Sequence, residues 1–235
     1  MTRWLVPLAM LAGCEAYDSL PPETEPPLAA RAQAVEQRMH ARYTEALGVE
    51  ASIARGDLDR ARRQARVIDA LDEPELLERW RPYLELVRVD AHRVAIAESL
   101  DTAAERAASL GRACARCHEA SRARVEFAEI AAPSAHATLA EDMSRHQWAA
   151  LQMWEGLIGP DDALWRTGAA GLTAMPANIL AQAMTRSESD DVDDVARIKL
   201  YAARAPGTVD QDARADLFGR ILATCAHCHA ALRDR

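Results

Sequence analysis

Aromatic side chains are scarce, at 5% of 235 residues, and Lys and Arg form no basic stripe. There is also no second long apolar run and no cysteine without an assignment. Each shortage excludes something. Without a basic face the chain lacks the electrostatic footprint of a nucleic-acid binder, so that class of partner falls away. Beyond the N-terminal stretch nothing approaches the roughly 20 apolar residues a helix needs to cross a bilayer. The net charge of -8 comes from acidic residues interleaved with Arg, which serves solubility and points to no ligand. What remains is a chain that is 49% hydrophobic, enough to bury a real core. It is rich in Ala, Leu, Arg and Glu, which lose little conformational freedom in a helix, so an all-α fold is expected.

Residues 1–13 read as a short export signal, with Arg3 ahead of the apolar run from Trp4 to Ala12. The run ends in Leu11-Ala12-Gly13-Cys14, which resembles the lipobox of bacterial lipoproteins. That resemblance implies cleavage before Cys14 and a diacylglycerol on its sulfur. More than one acyl chain on the new N-terminus would anchor it stably, as one chain does not. Residues 14–30 carry Pro21, Pro22, Pro26 and Pro27 among acidic residues, a composition that extends as a tether and packs no core. The expectation is a protein exported to the periplasm and held by lipid. Glu15 in place of Asp after the cysteine points away from inner-membrane retention and towards the outer membrane.

The other four cysteines form Cys114-Ala115-Arg116-Cys117-His118 and Cys225-Ala226-His227-Cys228-His229. This C-x-x-C-H spacing is that of c-type haem attachment: two thiols a helical turn apart meet the two vinyl groups, and the next residue sets an imidazole under the iron. Three rivals compete. A zinc site built from all four thiols would span pairs 111 residues apart and would need no His after each. A pair of disulfides is permitted outside the cytoplasm. Thioredoxin-like chemistry wants a βαβ context that is absent. Two copies of the motif favour haem, hence two covalently bound haems with Cys114, Cys117, Cys225 and Cys228 as tethers and His118 and His229 as proximal ligands.

The chain also repeats itself. At an offset of 104, Met39, Leu47, Asp57 and Arg62 match Met143, Leu151, Asp161 and Arg166; further on the offset is 111, and Asp101 and Cys114 match Asp212 and Cys225. An acidic insertion near Ser187 to Asp194 accounts for the change and reads as a loop. Each unit then reads as four helices. In the first they cover about 31–55, 57–72, 82–99 and from 101 onward, with Gly56 as a left-handed stop, Asp57 and Asp101 as caps, and Asp72 to Pro74 as a breaker. In the second, Gly159-Pro160-Asp161 and Pro206-Gly207 mark turns. Short connections predict antiparallel neighbours, so residues 31–123 and 134–235 are expected to be tandem four-helix bundles.

Four helices with C-x-x-C-H near the end of the last resemble the class II cytochromes c, which include the cytochromes c′ and their low-spin relatives, the cytochrome c556 type. There the motif commonly continues with an aromatic and an Arg. Here Arg122 and Arg233 hold the Arg place at the haem edge, while Ser121 and Leu232 replace the aromatic. The resemblance implies a choice at the sixth ligand. Members of the c′ type leave the iron open; the low-spin type offers a Met from the first helix. Met39 and Met143 align there, with His40 and His146 as rivals; His146 stands opposite Arg42. Met153, Met175 and Met184 are expected to be packing, and His92, His136 and His227 are weaker ligand candidates. Trp148, Trp154 and Trp165 are core or walls of the second site. The functional expectation is a membrane-tethered electron carrier with redox proteins as partners. The alternatives are a c′-like gas-binding module with an open sixth site and a di-haem peroxidase. The last would need an acid/base constellation near a motif, and none stands out.

Overall fold

The computed structural model describes residues 27–71, 78–133, 138–174 and 190–233. The expected signal segment, Cys14 and most of the Pro-rich tether lie outside these, as do Asp72 to Pro74, His136, Met175 and Met184. Among the described residues the fold is all-α, with eight α-helices and no strand. They are α1 Leu28–Ala54, α2 Leu58–Ala70, α3 Arg81–Ala95, α4 Leu100–Ser121, α5 Leu139–Ile158, α6 Asp162–Thr173, α7 Asp190–Arg204 and α8 Gln211–Arg233. No described helix is long and apolar enough to cross a membrane.

Local chemistry explains the boundaries. Gly56 closes α1 with φ +73°, a conformation costly for any residue with a Cβ. Asp57 then accepts from the Arg60 amide to start α2, and Asp161 does the same for α6 through the amides of Ala163 and Leu164. Pro82 sits in the first turn of α3, where its missing N–H is no loss. Thr138 and Glu141 form a reciprocal capping box on α5. Some boundaries differ from expectation: α1 begins at Leu28, inside the expected tether, and α3 ends at Ala95, short of Ser99. Ser99, not Asp101, caps α4, accepting from the Thr102 amide, while Asp101 falls in the first turn. The insertion expected to be a loop is helical from Asp190 onward, because acidic residues at a helix N-terminus meet the positive end of the helix dipole.

Helix periodicity puts Ala103, Ala107, Leu110 and Cys117 of α4 on one buried face, and Leu217, Ile221 and Cys225 of α8 likewise. These faces meet. α4 and α8 pack lengthwise on each other in an antiparallel sense, since Arg112 and Arg116 reach Asp212 while Gly219 lies beside Ala108 and Glu105. Ala108 and Gly219 are themselves equivalent at the offset of 111. The pair crosses where the repeat meets itself, and small residues there let the backbones approach. α2 and α3 flank one side, α6 and α7 the other, and α1 and α5 each touch both α4 and α8. One buried apolar cluster runs through both halves, from Val49 and Ile53 through Leu110 and Trp154 to Phe218 and Leu222. Trp154 stacks on Phe218 with centroids 5.4 Å apart and closes over Gly111, tying α5 to both central helices.

Candidate functional site

Both C-x-x-C-H motifs lie in the last turns of the two central helices. A continuous helix sets the two cysteines of each pair a turn apart and turns them towards the core side of α4 and α8. Cys117 and Cys225 are buried, Cys114 and Cys228 half-buried, and none of the four is in a disulfide. Burial pushes the Cys114 thiol up to about 12 and raises that of Cys225 as well, with Glu50 and Cys228 adding to the latter. A raised thiol pKa disfavours the thiolate that thioredoxin-like exchange needs. Among the described residues no three His, Cys, Asp or Glu side chains converge to hold a metal ion.

The motif histidines are held in a reciprocal way. His118 Nδ1 donates to the carbonyl of Ile158 at 2.9 Å, at the end of α5. His229 Nδ1 donates to the carbonyl of Ala54, at the end of α1. Ala54 and Ile158 are equivalent at the offset of 104, as the two histidines are at 111. Each motif imidazole is therefore fixed by the first helix of the opposite half. A carbonyl can only accept, so Nδ1 carries the proton and Nε2 is left with its lone pair. That is the arrangement by which an outer partner orients a metal-binding imidazole. Burial also holds the His118 pKa below the ordinary value. Two thiols a turn apart, followed by an imidazole whose Nε2 keeps its lone pair, form a donor set that fits a covalently attached haem.

The helix turns complete each end. Gly56 lies so close to α8 that a Cβ there would sit 3.1–3.2 Å from Ala230, directly after His229. In the other half Gly159 stands against the ring of Phe127, which also packs on Tyr43.

The sixth-ligand candidates fall in different surroundings. Met39 is half-buried on α1, its sulfur 4.0 Å from Arg42 Nη1, and its neighbour His40 is exposed. Met143 is half-buried against the core. His146 reaches the second motif, with Nε2 3.9 Å from Cys225 Sγ. Burial and the nearby His229 drive its pKa down to about 4. Arg122 ends α4 in the left-handed region and is exposed; Arg233 ends α8, its side chain outside the described atoms. The weaker candidates go elsewhere: His92 pairs with Asp69 at the surface, and His227 with Asp194 at 2.6 Å. Met153 and Trp165 are core, while Trp148 is half-buried and donates to the Ile130 carbonyl.

Three features escaped the sequence reading. Arg42 is buried and close enough to Cys114 to favour its thiolate. Glu50, buried on α1, bears on Cys225 across the halves, and burial raises its own pKa to about 7. Tyr43 donates to Glu155 at 2.6 Å and so links α1 with α5. The equivalence of Arg42 with His146 was a usable signal for the first; nothing local marks the others. A polar cleft of about 830 Å³ also runs between α4, α7 and α8, lined by Arg106, Arg112, Arg197 and Asp216 among others, with His227 at its wall. Comparison with models of known families, with curated proteins and with solved structures returns no match.

Proposed function

We propose that the chain is a di-haem c-type cytochrome that transfers electrons, tethered through a lipidated Cys14 to a bacterial membrane facing the periplasm. On this reading the two halves are class II-like haem units joined through α4 and α8. The observation that carries it is the duplicated donor set: two C-x-x-C-H motifs on equivalent helices, each with an imidazole oriented through Nδ1 by an equivalent carbonyl. Bound haem supplies a one-electron ferric/ferrous couple. The chain's own residues do the rest. Cys114, Cys117, Cys225 and Cys228 tether, His118 and His229 ligate through Nε2, and the apolar faces of α4 and α8 keep water from the donor atoms. The sixth ligand comes from the first helices, with Met39, Met143 and His146 as the candidates nearest the core. One shared core joins the two halves that carry the motifs. Redox proteins are the partners this implies.

The test is maturation in a host that attaches c-type haem, followed by intact mass and a pyridine haemochrome spectrum. Two thioether-linked haems are expected, falling to one when Cys114 and Cys117 are both changed to Ala. A colourless product with no added haem mass refutes the proposal. A c′-like gas-binding role is favoured by one observation, the buried Arg42 beside the first motif, since a guanidinium offers no atom to ligate iron. Rapid carbon monoxide binding by the reduced protein distinguishes that role from a pure carrier.

A further inference from the structure

Positions 42 of α1 and 146 of α5 are the same place in the two halves, yet one is Arg and the other His. Each faces the motif of its own half. His146 Nε2 lies 3.9 Å from Cys225 Sγ, and its ring is near enough to His229 to feel that residue's charge. Arg42 is 5% exposed, its guanidinium acts on the Cys114 thiol, and its Nη1 lies 4.0 Å from Met39 Sδ. The two side chains are not interchangeable towards a metal. A neutral imidazole carries a lone pair and is the commonest metal ligand; a guanidinium is always protonated and has no acceptor atom.

Building on the di-haem reading above, we propose that the two sites differ in their sixth ligand. His146 completes a bis-histidine iron at the second motif, and Arg42 denies the first motif an imidazole at that register. The duplicated donor set makes the two sites alike on the proximal side; this difference makes them unlike on the other. Unlike axial ligands give unlike potentials, so an electron moving between the motifs has a preferred direction.

The experiment uses the full chain matured with haem, with intact mass counting haems and electron paramagnetic resonance plus near-infrared magnetic circular dichroism reading the ligands of the oxidised iron. The wild type should show one bis-imidazole low-spin centre and one centre of a different kind. In His146→Leu the bis-imidazole signal should vanish while the mass still shows two haems. In Arg42→His, which leaves His146 in place, a second bis-imidazole signal should appear. Either two identical centres in the wild type or an unchanged spectrum in His146→Leu overturns the assignment. If His146→Leu does not accumulate, failure of Arg42→His to gain a bis-imidazole signal overturns it instead. A chain with no thioether-linked haem overturns the reading beneath, and the ligand assignment with it.

Discussion

Gly56→Ala tests whether the end of the second motif helix is seated on the opposite half. Two costs add at this position. With φ at +73°, a side chain at residue 56 adopts a left-handed conformation that costs about 1–2 kcal/mol. The new methyl would also lie 3.1 Å from Ala230 Cβ and 3.2 Å from its Cα and N. Those are helix atoms that cannot swing aside, and overpacking of this kind costs about 1–3 kcal/mol. A destabilisation of about 3 kcal/mol is expected, corresponding to a fall in Tm of roughly 6–12 °C for a chain of this size. Urea unfolding at equilibrium, followed by far-ultraviolet circular dichroism, measures it. Gly207→Ala is the internal control, because no atom lies within 4 Å of its added Cβ and its φ is ordinary; its change should stay within about 0.5 kcal/mol. Should Gly56→Ala match that control, α8 does not rest on the α1–α2 turn, and the cross-half hold on His229 loses its geometric basis.

Gly168→Ala should be more damaging still, since its Cβ would meet the Ala149 carbonyl and lie 2.6 Å from the Met153 amide, where α5 and α6 touch backbone to backbone. Loss of folded protein, or a midpoint shift larger than that of Gly56→Ala, is expected in the same urea assay; a shift below about 1 kcal/mol contradicts the packing. Glu50 gives a pH dependence. Burial raises its pKa from 4.5 to about 7, so the folded chain holds this proton more tightly than the unfolded one. Its contribution is therefore complete below about pH 4.5 and is lost as pH rises through about 7, a difference of about 3 kcal/mol over that window. Glu50→Gln should remove this slope and gain stability over the wild type at about pH 8 relative to about pH 5. Parallel stability curves for the two proteins would sink the assignment.

The helices were legible in the sequence because their signals are local. Gly56, Asp57, Pro82 and Asp161 act through backbone geometry and nearby amides, and the structure puts them where those roles require. The misreadings were local competitions: Ser99 lay two residues ahead of Asp101 as a cap, and the acidic run that looked like a loop starts a helix at Asp190. The motif spacing pairs Cys114 with Cys117 and Cys225 with Cys228, since a helix sets residues three apart a turn apart in any fold. Long-range packing decided the rest. That Ala54 and Ile158 accept from the motif histidines of opposite halves could not be read, because a backbone carbonyl has no side chain to announce it. Nor could the sequence say that α4 and α8 cross at Ala108 and Gly219, fusing two repeats into one core. Residue types settle what a local segment can do; which segments meet depends on burying every apolar face at once, and only the folded chain resolves that.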